Sequence, residues 1–536
     1  MEPHCLRLGE LPRTTKLFSD YLDSFPRVSK FFEHPPDEAG VIAAARKAQI
    51  APETRRTVTS VLRQQSHSFG SDAVVEKNIE RLEKGAVAVV TGQQVGLFSG
   101  PAYSFYKALT AVRWAERLTV KGIDAVPVFW LATEDHDLAE VDHSFWLTRN
   151  GVERLHIETP PAFAGHEVGQ ITFGPEIAEL VDKAAAALSG RAAREVERAL
   201  RESYAPGENF GSAFGKLMAR LLAGRGVILL DPLDEQLHRI AAPVFRRAVD
   251  ECVTLRDELL ARNKALDKAG YQAQVKVTAE ATLLFMNVDG KREPVRFRND
   301  KYRAGGVTIS PGELLHAIDK TPEIFSPNVL LRAAVQDTFL PTAAYIGGPS
   351  EIAYMAQVEV VYRKLLGRMP AILPRAGFTL VEPHAARLLQ KYGMSLPDIF
   401  GGRQRVHAAL ASGSVPRGLA GRFNRDERTF RRALKAYAKP LARLDKSLVG
   451  ALEMAERKIL YQLTNLGKKA GRAEGFRSGV IERHERLILD SLYPQREPQE
   501  RSLCLLPFLA SYGLELLDEL YKYAGASPPQ HHVLWL

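Results

Sequence analysis

Three cysteines, Cys5, Cys252 and Cys504, are all that this chain of 536 residues carries. They stand far apart and form no CxxC pair, so neither a thiolate zinc site nor a disulfide framework is implied. A reducing, cytoplasmic setting is the expectation. No run reaches about 18 apolar residues, so no membrane-spanning helix is expected. The opening residues, MEPHCLRLGELPRTTKLF, lack an apolar h-region and do not read as a signal peptide. GxGxxG and GxxxxGKS/T are missing too, which disfavours the usual dinucleotide fingerprint and the P-loop.

What is present is ordinary globular composition, 45% hydrophobic and 25% charged, in a chain too long for one core. Two to four domains or large insertions are expected. The net charge is +9, and residues 421–490 hold 17 lysines and arginines against 9 acids, an excess of eight. Nearly all the positive balance is therefore in one C-terminal segment. Such a segment can track a phosphate backbone, but no aromatic interleaving and no nucleic-acid motif accompanies it. A solvated helix face is the simpler reading, and nucleic acid is not an expected partner.

The stretch from Val87 to His143 organises the rest. Val87–Val90 and Ala125–Ala132 are short apolar runs of buried-strand type. Between them lie TGQQVGLFSGPAY and a helix with Tyr103, Tyr106, Leu109, Val112 and Leu118 at helical spacing. Strand, glycine-rich loop, helix, strand is one βαβ unit, and its polar residues follow the strands. Ligands of open parallel sheets sit at those carboxyl ends. Similar runs at Val227–Leu230, Ala343–Ile346 and Ile372–Leu373, the last alone or paired with Thr379–Val381, complete a mostly parallel, doubly wound α/β sheet.

Seven segments result. Residues 1–143 are the first half of the core under a helical N-terminal cover. Residues 144–205 form a first insertion, and 206–270 return to the core, with Asn209 capping a helix and a long helix from Gln236 to Leu266. Residues 271–325 are a second insertion, small and antiparallel, read from QVKVT, TLLFMNV, VRFR and GVTI. Residues 326–385 complete the core, 386–495 are helical, and 496–536 pack on the core. In the helical segment Phe430, Leu434, Tyr437, Leu441, Leu444 and Leu448, then Leu452, Ala455, Ile459, Leu463 and Leu466, keep heptad spacing. Pro440 suggests a helix starting near it, and Gly471 with Gly475 a hairpin whose return helix is Arg477–Leu492. One such hairpin cannot bury both faces, so a homodimer through it is expected.

Three polar groups are candidates for chemistry. Gln93, Gln94, Gly100, Pro101, Tyr103 and Lys107 belong to the first loop and helix, where backbone N–H groups favour an anion or carboxylate; a tight turn needing glycine only for positive φ is the alternative. TEDHDLAEVDH packs Glu134, Asp135, His136, Asp137, Glu140, Asp142 and His143 together. It could hold a divalent metal, supply a base, or start a solvated helix capped by Asp135 or Asp137. We lean to substrate binding and base, with His136 as base beside Glu134 and Asp135, and expect no metal. The third group is Asn328, Arg332, Gly347, Gly348, Glu351 and Tyr354, with Arg332 able to fork a carboxylate; a surface ion pair is the alternative.

TGQQVGLFSGPAYSFYKA, VPVFWLATEDHDLAEVDH and YIGGPSEIAYMAQ, in this order, resemble the cysteine-adding ligase family of bacillithiol biosynthesis. ENFGSAFGKLMARLLAGRGVILLDP and YPQREPQER extend the resemblance over almost the whole chain. It implies a Rossmann-like core akin to class I aminoacyl-tRNA synthetases, two connecting-peptide insertions, and a C-terminal antiparallel coiled coil that makes the dimer. It implies joining of the L-cysteine carboxyl to the amine of glucosaminyl-malate, giving bacillithiol. It implies an ATP or ADP pocket apart from the main site, placed around Arg375, Phe378, Gln499 and Arg501. The synthetases' HIGH and KMSKS signatures are not evident, and the scattered cysteines cannot build the related ligases' thiolate zinc site, so the activation step is left open. Two rival readings are a basic coiled-coil protein binding polyanions or nucleic acid, and a metal-dependent hydrolase using the EDHDLAEVDH cluster.

Overall fold

The structure, a computed structural model, describes residues 4–413 and 417–536, leaving aside the side chains of 4, 413, 417, 420, 468, 472 and 474–478. The chain divides into two compact units, one of residues 4–379 and 500–533, the other of 380–499 and 534–536.

In the first unit five strands form a wholly parallel sheet: β1 (Val87–Gln93), β2 (Ala125–Leu131), β3 (Ile228–Leu230), β4 (Thr342–Gly347) and β5 (Ala371–Pro374). Their spatial order is β5-β4-β1-β2-β3. Read from the other edge it is 3-2-1-4-5, the Rossmann order, which reverses direction between β1 and β4. The strands are continuous apolar runs because both faces are covered. Helix α1 (Tyr103–Val120) and helix Glu38–Lys47 cover one face, where Val89, Trp114, Leu118, Ala344 and Leu373 share one core cluster. Helix α2 (Val329–Phe339) precedes β4, and α3 (Pro349–Leu365) follows it.

The first insertion opens with an antiparallel pair, His143–Thr148 with Gly151–His156, and continues in helices Glu176–Ala187 and Ala193–Ser203. The second carries an antiparallel sheet in which Ala281–Val288 pairs with both Lys291–Arg298 and Phe325–Pro327. QVKVT is not a strand of it: the Gln274 and Val275 N–H groups donate to the Gln357 side chain (3.0 and 2.9 Å), which takes the place of a ladder. Lys301–Ala304 is a strand that its charged residues conceal. The expected long helix is two, Glu235–Asp250 and Cys252–Lys268, broken at Glu251. Asn209 caps Phe210–Leu221, its side chain accepting from Ser212 N–H at 2.8 Å. The N-terminal cover also contains a strand, His4–Arg7, paired antiparallel with residues 530–533. None of the three cysteines is disulfide-bonded.

The second unit is helical. Helices α4 (Arg417–Leu444) and α5 (Ser447–Ser478) form an antiparallel hairpin, cross-linked by Arg431 and Glu456 at 3.1 Å. The turn lies at Asp445–Lys446, where Asp445 accepts from Ser447 N–H at 2.7 Å. Gly471 and Gly475 make no hairpin; α5 runs through both, and the next break is the left-handed Gly479 before α6 (Val480–Leu492). Pro440 lies inside α4, close to its end and exposed, so the carbonyl it leaves without a backbone donor can be hydrated. No helix among the described residues is long and apolar enough to cross a membrane.

Candidate functional site

A cleft of about 690 Å³ opens at the carboxyl ends of β1 and β4, where the strand order reverses. It lies wholly within the first unit. Gln93, Gln94, Tyr103, Lys107, Glu134, Asp135, His136, Asn328, Arg332, Gly348, Glu351 and Tyr354 line it, and so do Arg375 and Arg501. Residues more than 400 positions apart in the chain thus share one cavity.

Lys107 is 1% exposed and has three partners: the Gly92 carbonyl at 2.7 Å, Gln93 Oε1 at 2.8 Å and the Glu351 carboxylate at 2.5 Å. An ammonium has three hydrogens, so this lysine is saturated by the protein. Burial pulls it below its usual range, and Glu351 opposes that. Burial by itself would raise Glu351, but Lys107, the Gly348 N–H at 2.7 Å and the Tyr345 hydroxyl at 2.7 Å hold it below the usual carboxylate range. Tyr345 in turn accepts from Arg332 at 3.3 Å. Burial works against charge on Arg332, but Tyr345, Tyr354 and Glu351 keep it firmly protonated. Lys107 and Glu351 therefore brace the cleft, and Arg332 stands at the end of that brace.

The loop after β1 has a structural task as well. Gly100 has φ +62° and ψ −151°, and a Cβ on Gly96 would lie 3.0 Å from the Gly100 Cα. Glycine is required there for close approach and backbone conformation. Gly100 and Pro101 shape the turn without lining the cleft; Gly347 is likewise outside it, its carbonyl accepting from Arg375 N–H at 2.9 Å. Asn328 caps α2, its side chain accepting from Leu330 and Leu331 N–H, both at 3.0 Å. Tyr103 accepts from Gln93 Nε2 at 3.0 Å, and burial pushes its phenol up to about 12.

The acidic stretch after β2 does not act as one cluster. Asp137 caps a single helical turn, Leu138–Val141. Asp142 turns away to His143 at 2.8 Å and His156 at 3.2 Å. Asp135 accepts from Gln94, and Glu134 lies 3.4 Å from His238. Among the described residues no three His, Cys, Asp or Glu side chains converge on a metal position. Glu140 also lines the cleft, raised by burial and then by Asp137 and Asp135.

His136 accepts at Nδ1 from Arg292 at 3.0 Å. This alters the role expected of it: a neutral imidazole with Nδ1 accepting bears its proton on Nε2, so no basic nitrogen is left to the cleft. Arg292, Glu167, His238 and Tyr345 carry no motif of their own. Arg292 sits in the basic run KREPVRFR, where one buried arginine among exposed ones has no marker.

Of the four residues expected at a separate nucleotide pocket, Arg375, Phe378 and Arg501 belong to the first unit and Gln499 to the second. Arg375 donates to Glu500 at 2.7 Å and to the Ala376 carbonyl at 2.9 Å, and with Arg501 it faces the main cleft. Phe378 packs edge-on against Tyr106, centroids 4.8 Å apart. Gln499 is buried, its amide bonded to both the N–H and the carbonyl of Leu380 at 2.8 Å. The last two have structural partners that account for them.

Residues 1–376 match the family described as Bacillithiol biosynthesis BshC, N-terminal Rossmann-like domain, and residues 378–536 match Bacillithiol biosynthesis BshC, C-terminal coiled-coil domain. A protein of Koribacter versatilis (strain Ellin345), named "Putative cysteine ligase BshC", is 44% identical over 536 residues, covering 100% of both chains. A protein of Solibacter usitatus (strain Ellin6076) with the same name is 37% identical over 99% of each. One from Salinibacter ruber (strain DSM 13855 / M31), again so named, is 32% identical over 98% of this chain and 97% of its own.

Proposed function

The chain belongs to the BshC family of bacillithiol biosynthesis, and on that premise we propose that it joins the carboxyl of L-cysteine to the amine of glucosaminyl-malate. The observation that carries this reading is the division of charge in the cleft. Arg332, Arg375 and Arg501 supply cationic groups and Glu134, Asp135 and Glu140 acidic ones. Malate offers two carboxylates, which suit guanidinium forks, and both substrates offer an ammonium, which suits carboxylates.

Arg332 is our choice for a malate carboxylate, since its hydroxyl and amide partners leave it net charge to neutralise. Gln93, Gln94, Tyr103 and Asn328 orient substrate by hydrogen bonds, and Tyr354 closes the wall beside Arg332. An amide does not form spontaneously from a carboxylate and an ammonium, so a donor must activate the cysteine carboxyl. We propose ATP, with Arg375 and Arg501 in the cleft as the groups suited to its phosphates.

The coiled-coil hairpin supports self-association. Phe430, Tyr437 and Leu444 on α4 and Met454 and Tyr461 on α5 are seven residues apart on their helices and exposed, Tyr437 by 59% and Tyr461 by 63%. An apolar stripe of that kind marks an interface, and we propose a second copy of this chain as its partner.

The test of the reaction is to incubate the purified protein with L-cysteine, glucosaminyl-malate and ATP and to follow products by mass. The expected product is glucosaminyl-malate extended by one cysteinyl residue, with ATP consumed in step. Product with no nucleotide present removes ATP from the scheme, and no product with any nucleoside triphosphate overturns the ligase reading.

A further inference from the structure

Both insertions and the loop after β2 meet at one buried residue. Arg292 stands in strand Lys291–Arg298 of the second insertion, and its N–H donates to the carbonyl of Gly165 in the first at 2.8 Å. Its guanidinium lies 3.9 Å from the centre of the Phe285 ring. Nε donates to Ser326 Oγ at 2.8 Å and one terminal nitrogen to the Pro327 carbonyl at 2.7 Å. The other terminal nitrogen is 3.0 Å from His136 Nδ1. With two anchors and a ring beneath it, this guanidinium has one orientation.

A guanidinium has no acceptor and keeps its protons. The bond to His136 therefore runs from Arg292 to a lone pair on Nδ1, and the neutral ring carries its hydrogen on Nε2. Nε2 has no partner among the described residues, and the ring lines the cleft. The charges facing the ring are Arg292 from the insertion strand, Glu293 beside it, and Asp135 and Asp137 from its own loop. Burial and Arg292 together hold the imidazole below its usual range, against the pull of the three carboxylates.

We propose that Arg292 is a positioning residue that locks His136 in the Nε2–H tautomer, and that His136 serves the ligation by donating this hydrogen to the carbonyl oxygen of the cysteinyl group. The role rests on the ligase reading above. The amine of glucosaminyl-malate adds to the acyl carbon of the ATP-activated cysteinyl group. As the C–N bond forms the carbonyl oxygen gains negative charge, which a fixed neutral donor stabilises without having to reorient. The adduct then collapses, the C–O bond to the phosphoryl leaving group breaks, that group departs as an anion, and the amine's surplus proton passes to solvent. It also gives the second insertion a task in the reaction: the loop after β2 supplies His136 together with Asp135, whose carboxylate 3.6 Å from Nδ1 would favour a hydrogen there, and the closer Arg292 donor sets the opposite tautomer.

The first test needs no turnover. In the full-length protein labelled with ¹⁵N-histidine, long-range ¹H–¹⁵N spectra report the protonation of each ring nitrogen, and the His136 signals are those lost in His136→Gln. The expected result at neutral pH is a bare Nδ1 and a protonated Nε2; a protonated Nδ1 overturns the proposal. The second test is kinetic. A glutamine amide can place an N–H near the position of Nε2 but cannot act as a base. His136→Gln should stay within roughly ten-fold of wild-type kcat, while His136→Ala loses roughly 100- to 1000-fold, the usual cost of removing such a donor. Equal losses overturn the donor role. Arg292→Met should lower kcat more than it raises either KM, and give kcat a new dependence on pH near the ordinary imidazole range of about 6.5. Arg292→Lys, which keeps an N–H donor, should restore much of both. An Arg292→Met enzyme with wild-type kcat and pH profile overturns the positioning role. Absence of product from the wild-type protein removes the ligase reading and the donor role with it, whereas the spectrum still decides what Arg292 does to the ring.

Discussion

Lys107 on α1 and Glu351 on α3 meet 2.5 Å apart at the point where the strand order of the sheet reverses. The pair joins the helix after β1 to the helix after β4. Lys107 also holds the carbonyl of Gly92 and the side chain of Gln93, while Glu351 holds Gly348 N–H and Tyr345. Both rims of the cleft are thus fixed by one ion pair.

Removing one partner of a buried pair leaves the other charge uncompensated, at roughly 3–5 kcal/mol. Glu351→Ala should approach that cost, since it strands an ammonium that is 1% exposed. Lys107→Met should cost less, because Glu351 keeps two hydrogen-bond donors and some solvent. The double change Lys107→Met with Glu351→Ala should cost less than the sum of the two single changes, since it strands neither charge. Urea denaturation followed by tryptophan fluorescence is a suitable probe, as Trp130 lines this cleft. Strictly additive losses would show that the two residues do not act as a pair.

Arg332 tests the assignment of substrate groups to the cleft. Hydrogen bonds to charged groups contribute about 1.5–3 kcal/mol, so Arg332→Met should raise KM for glucosaminyl-malate roughly ten- to hundred-fold. KM for L-cysteine should hardly change. Equal rises for both substrates would mean that the arginine shapes the cleft and does not select malate.

The sheet was legible because its strands are buried on both faces. Val87–Val90 and Ala125–Leu131 read as uninterrupted apolar runs, and the polar residues after them fall at the strand ends where ligands bind. The heptads were legible for a different reason, their period surviving across the α4–α5 turn. The turn itself was misplaced. Gly471 suggested it, but a glycine in a long helix costs only about 1 kcal/mol, and the short Asp445 cap made the turn instead. Least legible was the tautomer of His136. It depends on Arg292, 156 positions away in another insertion, and neither local periodicity nor spacing carries that relation. Asp137 shows the opposite case: helix capping, one of the plain alternatives for the acidic run, is what it does.

The exposed stripe of the hairpin predicts an oligomeric state that one pair of changes should alter. Tyr437 and Tyr461 are large, apolar in body and mostly exposed. Replacing both by glutamate puts like charges where two copies would meet. Light scattering should then show a monomer where the wild-type protein is a dimer, with helix content by circular dichroism unchanged. A wild-type protein that is already monomeric at micromolar concentration would sink the proposed interface.

Glu167, close to Glu134, gives the fold a pH dependence of defined sign. It is 5% exposed, and burial together with the nearby Glu134 pushes it up to about 7, from an ordinary 4.5. Between those values the native state holds a proton that the unfolded chain has released. Stability must therefore fall as pH rises through the window, by at most about 1.4 kcal/mol for each pH unit crossed. Below about 4.5 both states are protonated, and above about 7 both are ionised, so this contribution to the slope vanishes at either end. Glu167→Gln keeps an acceptor for Gln170, which donates to Glu167 at 2.7 Å, and removes the titration. The variant should gain stability relative to wild type as pH rises from 4.5 to 7 and level off above it. Denaturation midpoints measured at half-unit intervals decide the matter: two curves that run parallel across the window would show that Glu167 ionises as it does in the unfolded chain.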